Sequence, residues 1–131
     1  PNPKRSATGF DTNRLTMLLA LLEKKLDLPF NHYDVFINIS GGIKIKESSA
    51  DLAVIAAIIS SFRDRPISKE SVFIGEVSLT GEIKDVYSID LRLKEAQAQG
   101  IKKAIIAQKT NLKLDLKTFV VDEVSKVIEL F

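Results

Sequence analysis

The sequence has no cysteine and no tryptophan, and it contains a single histidine, His32. Without cysteine the chain forms no disulfide and no thiolate zinc site and offers no cysteine nucleophile, which fits a reducing cytoplasm. One histidine cannot build a histidine metal cluster, so we predict no metal site and a surface position without a role for His32. No apolar run approaches the roughly 18 to 20 residues that a membrane-spanning helix needs, and no signal peptide is visible, so we expect no membrane contact.

The composition is that of an ordinary globular domain. Hydrophobic residues make up 45% of the 131-residue chain and charged residues 27%, which gives no expectation of disorder. The net charge of +2 is too small to indicate nucleic-acid binding by itself. Residues 1–10 are polar and basic and are predicted to be a linker, whereas residues 11–131 are predicted to form one domain. Because the chain starts with Pro1 instead of Met, we expect it to be a fragment of a longer protein.

Hydrophobic periodicity predicts helices and strands that alternate, with at least one antiparallel hairpin, which is typical of the α+β class. Asp11 is predicted to cap a helix that ends at about Leu26 and is apolar on two sides, as expected if a sheet or a neighbouring subunit covers it. The other predicted elements outside the hairpin are a strand over 35–39, a strand over 43–46, a helix from Ser48 or Ser49 to about Phe62, strands over 103–107 and 119–121, and a last helix with Val124, Val127, Ile128 and Phe131 on one stripe.

The segment from residue 71 to residue 100 carries the most specific pattern in the chain. It predicts a strand ending at Val77, a return strand, and between them a two-residue turn formed by Thr80 and Gly81. Gly81 supplies the positive φ that such a tight turn requires. Ser88 then opens a helix, which is followed by a short apolar strand.

The same segment contains two glycines, but it does not form a phosphate-binding loop. Gly75 and Gly81 stand six residues apart instead of five, and Glu82 follows where that motif has lysine and then serine or threonine. The chain by itself is therefore not expected to bind ATP.

The order of these motifs resembles the proteolytic domain of Lon-type peptidases, and more closely the non-peptidase version of that domain at the C-terminus of the RadA/Sms family of bacterial DNA repair proteins. The resemblance runs over nearly the whole chain and rests on several separate motifs in the right order. They are Pro3-Lys4-Arg5, the run from Thr8 to Leu15, Asp34 to Ile39 with Gly41-Gly42, Ala50 to Val54, Arg63 to Pro66, and the hairpin pattern from Gly75 to Val86.

This resemblance implies a Lon-protease-like (ribosomal protein S5 domain 2-like) mixed sheet with packed helices. It also implies a non-catalytic, DNA-binding and ring-forming domain of a RadA-type DNA-dependent ATPase or helicase, which processes recombination intermediates by branch migration during DNA repair in the bacterial cytoplasm. The implied partners are single-stranded or branched DNA, further copies of the chain in a hexameric ring, and the RecA recombinase. No cofactor is implied for this segment, whereas ATP, Mg²⁺ and Zn²⁺ are expected in the missing N-terminal part of the parent protein.

A Lon-type peptidase uses a serine nucleophile and a lysine base, and the resemblance aligns Ser49 with the serine and Asp90 with the lysine. A carboxylate does not replace a neutral amine in one step, so no catalytic residue is predicted, and Ser49 is expected to be a helix N-cap. Lys94, about one turn beyond Asp90, would serve as the base only after a shift in register. The alternative function, a Lon-type serine peptidase with a displaced lysine base, depends on that shift.

The basic residues form small groups, each of which is also explained by an ordinary solvated surface. Residues 43–46 alternate isoleucine and lysine in a predicted strand, so the isoleucines would be buried and the two lysines would face solvent together. Lysine and arginine at such positions contact DNA phosphates without reading the base sequence. The predicted DNA-binding residues are Lys4, Arg5, Arg14, Lys44 and Lys46.

Overall fold

The computed structural model describes residues 2–130. Contacts within the chain divide it into two compact units, of which the first ends at Glu47 and the second begins at Ser48. The chain is mixed α and β, with parallel and antiparallel strand pairs, which confirms the α+β prediction. The finer Lon-protease-like arrangement stays a prediction. No helix among the described residues is long and apolar enough to span a membrane.

The first unit contains one helix and two paired strands. Strand β1 (Arg5–Thr8) and strand β2 (Val35–Asn38) pair in parallel, and helix α1 (Thr12–Leu26) connects them. As predicted, Asp11 caps the helix, because its Oδ1 accepts a hydrogen bond from the backbone N–H of Asn13 at 2.9 Å. The leucines on the apolar stripe of α1 are buried, namely Leu15, Leu18, Leu19, Leu21 and Leu22.

Two predictions for this unit are wrong. The predicted linker contains β1, whose polar sequence lacks an apolar alternation and which is stabilised by pairing with the distant β2. Residues 43–46 are not a strand, and Ile43 is 60% exposed rather than buried. This segment lies against the end of β1, where the N–H of Ile45 donates to the carbonyl of Gly9 at 2.6 Å. Gly9 has a φ of +82°, and a Cβ there would lie 2.4 Å from the carbonyl oxygen of Ile43.

The second unit is built around a three-stranded parallel sheet. A short 3₁₀ turn (Ser48–Ala50) leads into helix α2 (Asp51–Arg63). After α2 come β3 (Ser71–Ile74), β4 (Glu76–Val77), β5 (Ile83–Lys84), α3 (Ile89–Ala98), β6 (Lys103–Ile106) and β7 (Lys117–Val120). The sheet has the order β3-β6-β7, and a separate antiparallel pair, β4-β5, forms the predicted hairpin.

Apolar side chains cover both faces of this sheet. Helix α3 covers one face, where Ile89 and Leu93 join Ile74, Ala104 and Ile106 in a buried cluster. Alternation along the strands directs Phe73, Ile105 and Phe119 to the other face, and α2 contacts β3. Because both faces carry apolar residues, the strands read as short continuous apolar runs rather than as alternating patterns.

Two local predictions for the second unit need correction. The hairpin loop has three residues, because the N–H of Gly81 donates to the carbonyl of Ser78 at 3.0 Å and the N–H of Ser78 donates to the carbonyl of Glu82 at 2.9 Å. Gly81 follows the turn with a φ of +86°, so the need for a positive φ there is confirmed, although Thr80 and Gly81 alone do not make the turn. The predicted last helix is instead two 3₁₀ turns (Val124–Lys126 and Ile128–Leu130), and Phe131 lies outside the described residues.

Candidate functional site

Ser49 lies in the 3₁₀ turn that precedes α2, and not at the N-cap of that helix. The N-cap position belongs to Ala50, and no side chain caps the helix there, so the N-cap prediction for Ser49 is wrong. The hydroxyl of Ser49 instead accepts a hydrogen bond from the guanidinium of Arg92 at 3.3 Å. Its backbone carbonyl accepts from the N–H of Gly75 at 3.0 Å. Both the side chain and the main chain of Ser49 are therefore held by the rest of the second unit.

Arg92 is the residue of this site that sequence reasoning missed. It is half-buried on α3. Its Nε donates to the carbonyl of Tyr87 at 2.8 Å, and its Nη1 donates to the hydroxyl of Ser49. A guanidinium stays protonated in proteins and only donates hydrogen bonds. Arg92 can therefore orient the hydroxyl of Ser49 but cannot accept its proton. The two partners are separated by 43 positions in the sequence, which explains why no local pattern indicated the pair.

The two residues considered at the lysine position lie on the outer surface of α3. The carboxylate of Asp90 accepts a hydrogen bond from the hydroxyl of Thr110 at 2.8 Å, which ties the start of the helix to the loop after β6. Lys94 is exposed, one turn further along the helix. The hydrogen-bond partner of the Asp90 carboxylate is therefore Thr110 and not Ser49.

Asp51 is fully buried, with 0% of its surface exposed, at the first turn of α2. Its Oδ2 accepts a hydrogen bond from the backbone N–H of Val77 at 3.0 Å, which joins the helix to β4 of the hairpin. A carboxylate in the first turn of a helix also interacts favourably with the helix dipole. Asp51 thus uses its charge to hold two elements of the fold together.

Gly75 completes this junction with main-chain bonds. Its N–H donates to Ser49 as described, and its carbonyl accepts from the N–H of Leu52 at 3.1 Å. A Cβ at this position would lie 2.8 Å from Cγ2 of Ile83 and 3.3 Å from Cδ2 of Leu52. Only glycine allows the backbone of the hairpin to approach α2 this closely. We call Ser49, Asp51, Gly75 and Arg92 the turn site.

Of the five predicted DNA-binding residues, Arg5 has an intramolecular structural role. Its guanidinium donates to the carbonyl of Tyr33 at 2.5 Å and to that of Phe30 at 2.7 Å, and it lies 3.8 Å from the carboxylate of Glu23. These contacts fix the chain between α1 and β2 and leave little of the side chain for a ligand. Lys4 is exposed, and its backbone N–H donates to Asp34 at 2.6 Å.

The other three predicted residues lie on α1 and on the segment after β2. Arg14 is half-buried on the first turn of α1. Lys44 and Lys46 are exposed, as predicted, although they do not share the face of a strand. Within residues 2–130 the side chains of Lys4, Lys44 and Lys46 have no ion-pair partner. Whether any of these residues contacts DNA stays a prediction.

A cleft in the second unit is lined mainly by acidic residues, and its charges are partly neutralised by lysines. It is bounded by Glu82 to Asp85 and by Asp122 and Glu123. The ammonium of Lys126 donates to the carboxylate of Asp122 at 2.7 Å, and Lys84 lies 3.1 Å from Glu82. The hydrogen bond and the charge of Lys126 lower the pKa of Asp122 below its ordinary value of 3.8. The same contact raises the pKa of Lys126 above 10.5.

The sequence is similar to known proteins along nearly its full length. Residues 9–110 match the family model described as subunit ChlI of Mg-chelatase. The chain is 62% identical to the DNA repair protein RadA of Campylobacter jejuni over 97% of its length and 28% of that protein. It is 53% identical to the DNA repair protein RadA of Helicobacter pylori over 98% of the chain and 29% of that protein. It is 47% identical to the DNA repair protein RadA of Bacillus subtilis over 80% of the chain and 23% of that protein.

These matches leave most of each relative uncovered, because the chain spans less than a third of the length of the RadA proteins that it matches. The chain belongs to the family described as subunit ChlI of Mg-chelatase, and its predicted resemblance to the RadA/Sms proteins is confirmed.

Proposed function

We propose that this chain is a non-catalytic, DNA-binding and ring-forming domain of a RadA-type DNA-dependent ATPase that acts on recombination intermediates in DNA repair. The observation that carries the proposal is the similarity to relatives named DNA repair protein RadA, which reaches 62% identity over 97% of the chain. Because the match covers almost the whole chain, we infer a related role for this domain.

The turn site supports a non-catalytic domain. A serine peptidase needs a base that takes the proton of the serine hydroxyl. At Ser49 the hydroxyl is held by Arg92, which only donates hydrogen bonds, and Asp90 bonds to Thr110 instead. The alternative function, a Lon-type peptidase with Lys94 as a displaced base, would require that exposed residue to replace Arg92 beside Ser49.

Exposed lysines support contact with DNA. Lys44 and Lys46 are two residues apart, exposed and without an ion-pair partner in residues 2–130, and the segment that carries them is tied to Gly9. Glu47 follows them and is the acidic side chain nearest in sequence. Two such ammonium groups are suited to phosphate contacts that do not depend on base sequence.

Ring formation, ATP hydrolysis and the other partners belong to the same proposal. The predicted reason for a ring was the two-sided apolar surface of α1, but its leucines are buried without a partner chain. Better support comes from Tyr87, which lies two residues before α3, and Leu91 in the first turn of α3, which are 88% and 69% exposed. ATP, Mg²⁺, Zn²⁺ and contact with a RecA recombinase are assigned to the protein that contains this domain, in the cytoplasm.

The proposal predicts weak, salt-sensitive DNA binding that charge reversal at Lys44 and Lys46 reduces. Each phosphate contact on duplex DNA releases about 0.9 counterion, so Lys44→Glu with Lys46→Glu should flatten the slope of log K against log salt by roughly two units. Fluorescence anisotropy with a labelled duplex at several salt concentrations measures the slope. Because both side chains are exposed, thermal unfolding should not change.

The matched control is Lys24→Glu with Lys25→Glu, which alters the net charge equally at two exposed positions of the same unit. If both double variants weaken binding alike, overall charge explains the effect and the proposed contact fails. If the unaltered chain binds neither duplex nor single-stranded DNA at low salt, the DNA-binding function itself fails.

A further inference from the structure

The amino ends of the three parallel strands form one edge of the sheet, and lysines gather along it. Pairing sets Ser71 opposite Lys103 and Lys103 opposite Lys117, so β3, β6 and β7 begin at the same level. Lys102 directly precedes β6, and Lys69 lies two residues before β3. We call Lys69, Lys102, Lys103 and Lys117 the basic edge.

Backbone hydrogen bonds extend the sheet one residue beyond its strands and fix this arrangement. The N–H of Lys102 donates to the carbonyl of Glu70, and the N–H of Lys117 donates to the carbonyl of Lys102, each at 2.8 Å. The basic edge therefore stands on the main chain of the sheet and not on a free loop. Its positions are set by the same pairing that forms the core.

The pairing of Lys103 with Lys117 is unfavourable by itself, because like charges directly opposite each other destabilise a strand pair. The ring of Phe119 compensates in part, since both ammonium groups lie 5.2 Å from its centre. Lys103 also donates to the carbonyl of Leu130 at 2.9 Å. Stability alone therefore does not explain why two lysines lie opposite each other at the end of this sheet, and such a pair indicates a functional surface.

The charge at this edge is also only partly neutralised. Within residues 2–130 the side chains of Lys69 and Lys102 have no hydrogen-bond or ion-pair partner, and both are exposed. Two acidic residues lie in the segments directly before these strands, Glu70 before β3 and Asp115 before β7. These four lysines outnumber the two acids, so the basic edge carries more positive than negative charge.

We propose that the basic edge is a second DNA-backbone contact surface of this chain, additional to Lys44 and Lys46. The inference rests on the proposed DNA-binding function and names a further surface for it. The ligand is the phosphate backbone and not the bases. Phe119 is half-buried with two lysines over its ring, so its face is not open for base stacking. Binding at this edge is accordingly independent of sequence and sensitive to salt.

The test is charge reversal at Lys102 and Lys117, which leaves the structural bond of Lys103 to Leu130 in place. With a labelled single-stranded oligonucleotide, the double variant Lys102→Glu and Lys117→Glu should lower affinity and reduce the salt slope by about 1.4, since each contact releases about 0.7 counterion from single strands. The matched control is Lys94→Glu with Lys109→Glu. Both control residues are exposed in the same unit, and Lys109 lies beyond the opposite end of β6.

The outcomes separate this inference from the proposed function. An unaltered slope in the Lys102 and Lys117 variant, or an equal loss in the control variant, overturns the basic edge and leaves DNA binding through Lys44 and Lys46 intact. Absence of binding by the unaltered chain overturns both. Should the glutamate variant unfold, Lys102→Gln with Lys117→Gln decides the matter. Its melting temperature should be unchanged and its slope reduced, and a slope equal to that of the unaltered chain refutes the contact.

Discussion

Asp51 should be among the most costly polar residues to remove from this chain, because its buried carboxylate joins α2 to the hairpin. The change Asp51→Ala deletes a carboxylate that is fully buried and leaves the backbone N–H of Val77 without its acceptor. Val77 is itself only 2% exposed, so water cannot readily replace the lost oxygen. The hairpin would then lose its polar connection to the start of α2.

The size of the effect follows from three contributions. A hydrogen bond to a charged acceptor contributes about 1.5–3 kcal/mol, and an orphaned buried N–H costs about 1–3 kcal/mol, with overlap between the two. The interaction of the carboxylate with the dipole of α2 adds about 0.3–1 kcal/mol. We therefore expect the free energy of unfolding to fall by about 3 kcal/mol. With an unfolding entropy of about 2.1 cal/mol/K per residue, this lowers the Tm of the 131-residue chain by roughly 11 °C. Asp51→Asn keeps a carbonyl acceptor and should cost about 1 kcal/mol.

Urea unfolding followed by circular dichroism measures these differences, and amide hydrogen exchange gives a local measurement at Val77. The protection of that amide should fall in Asp51→Ala before global unfolding. Asp85→Ala serves as the control, because Asp85 is exposed and should change stability by less than about 0.5 kcal/mol. If Asp51→Ala and the control are equally stable, the carboxylate does not hold the hairpin and our account of the turn site is wrong.

Two further predictions concern side chains described above. In Lys126→Met the pKa of Asp122, followed by NMR titration, should rise towards 3.8, since the hydrogen bond and the charge of Lys126 lower it. By linkage, the stability contributed by this pair is fully present above pH 3.8 and is lost as the pH falls through the lowered pKa of Asp122 in the folded chain. On the alkaline side, this stability is fully present below pH 10.5 and is lost as the pH rises through the raised pKa of Lys126. The second prediction concerns catalysis. The chain should not cleave fluorescent casein, because Arg92 cannot take the proton of Ser49, and cleavage that Ser49→Ala abolishes would contradict this.

Elements specified by nearby residues were predictable from the sequence. Helix α1 combines an apolar stripe with a capping aspartate, and both signals act within a few residues of each other. The hairpin was found for the same reason, although its loop is one residue longer than predicted. Strand β1 was missed because its residues, Arg5 to Thr8, carry no apolar alternation and become a strand only beside β2. For residues 43–46 the error was the opposite one. Their apolar alternation predicted a strand, but the segment pairs with no strand and forms none.

In the candidate site, too, local features were predictable from the sequence and long-range contacts were not. The sequence pattern placed Ser49 at the start of the central helix, whereas the structure has it in the preceding 3₁₀ turn, two residues before the helix begins. Its partner Arg92 depends on how α3 packs, and no spacing along the chain indicates that contact. The basic edge was equally hidden. Lys69, Lys102 and Lys117 become neighbours only because three parallel strands begin at one level.

Gly75 has a consequence for how this fold can change over time. The two main-chain bonds that hold the turn involve backbone atoms of Ser49 and Leu52, so these two bonds do not require a particular side chain at position 49. A single substitution can therefore add or remove a reactive group there without passing through a misfolded protein. Position 75, in contrast, admits almost no replacement, because even a methyl group would collide with Ile83. Such a scaffold can lose one chemistry and acquire another role while its architecture is inherited unchanged.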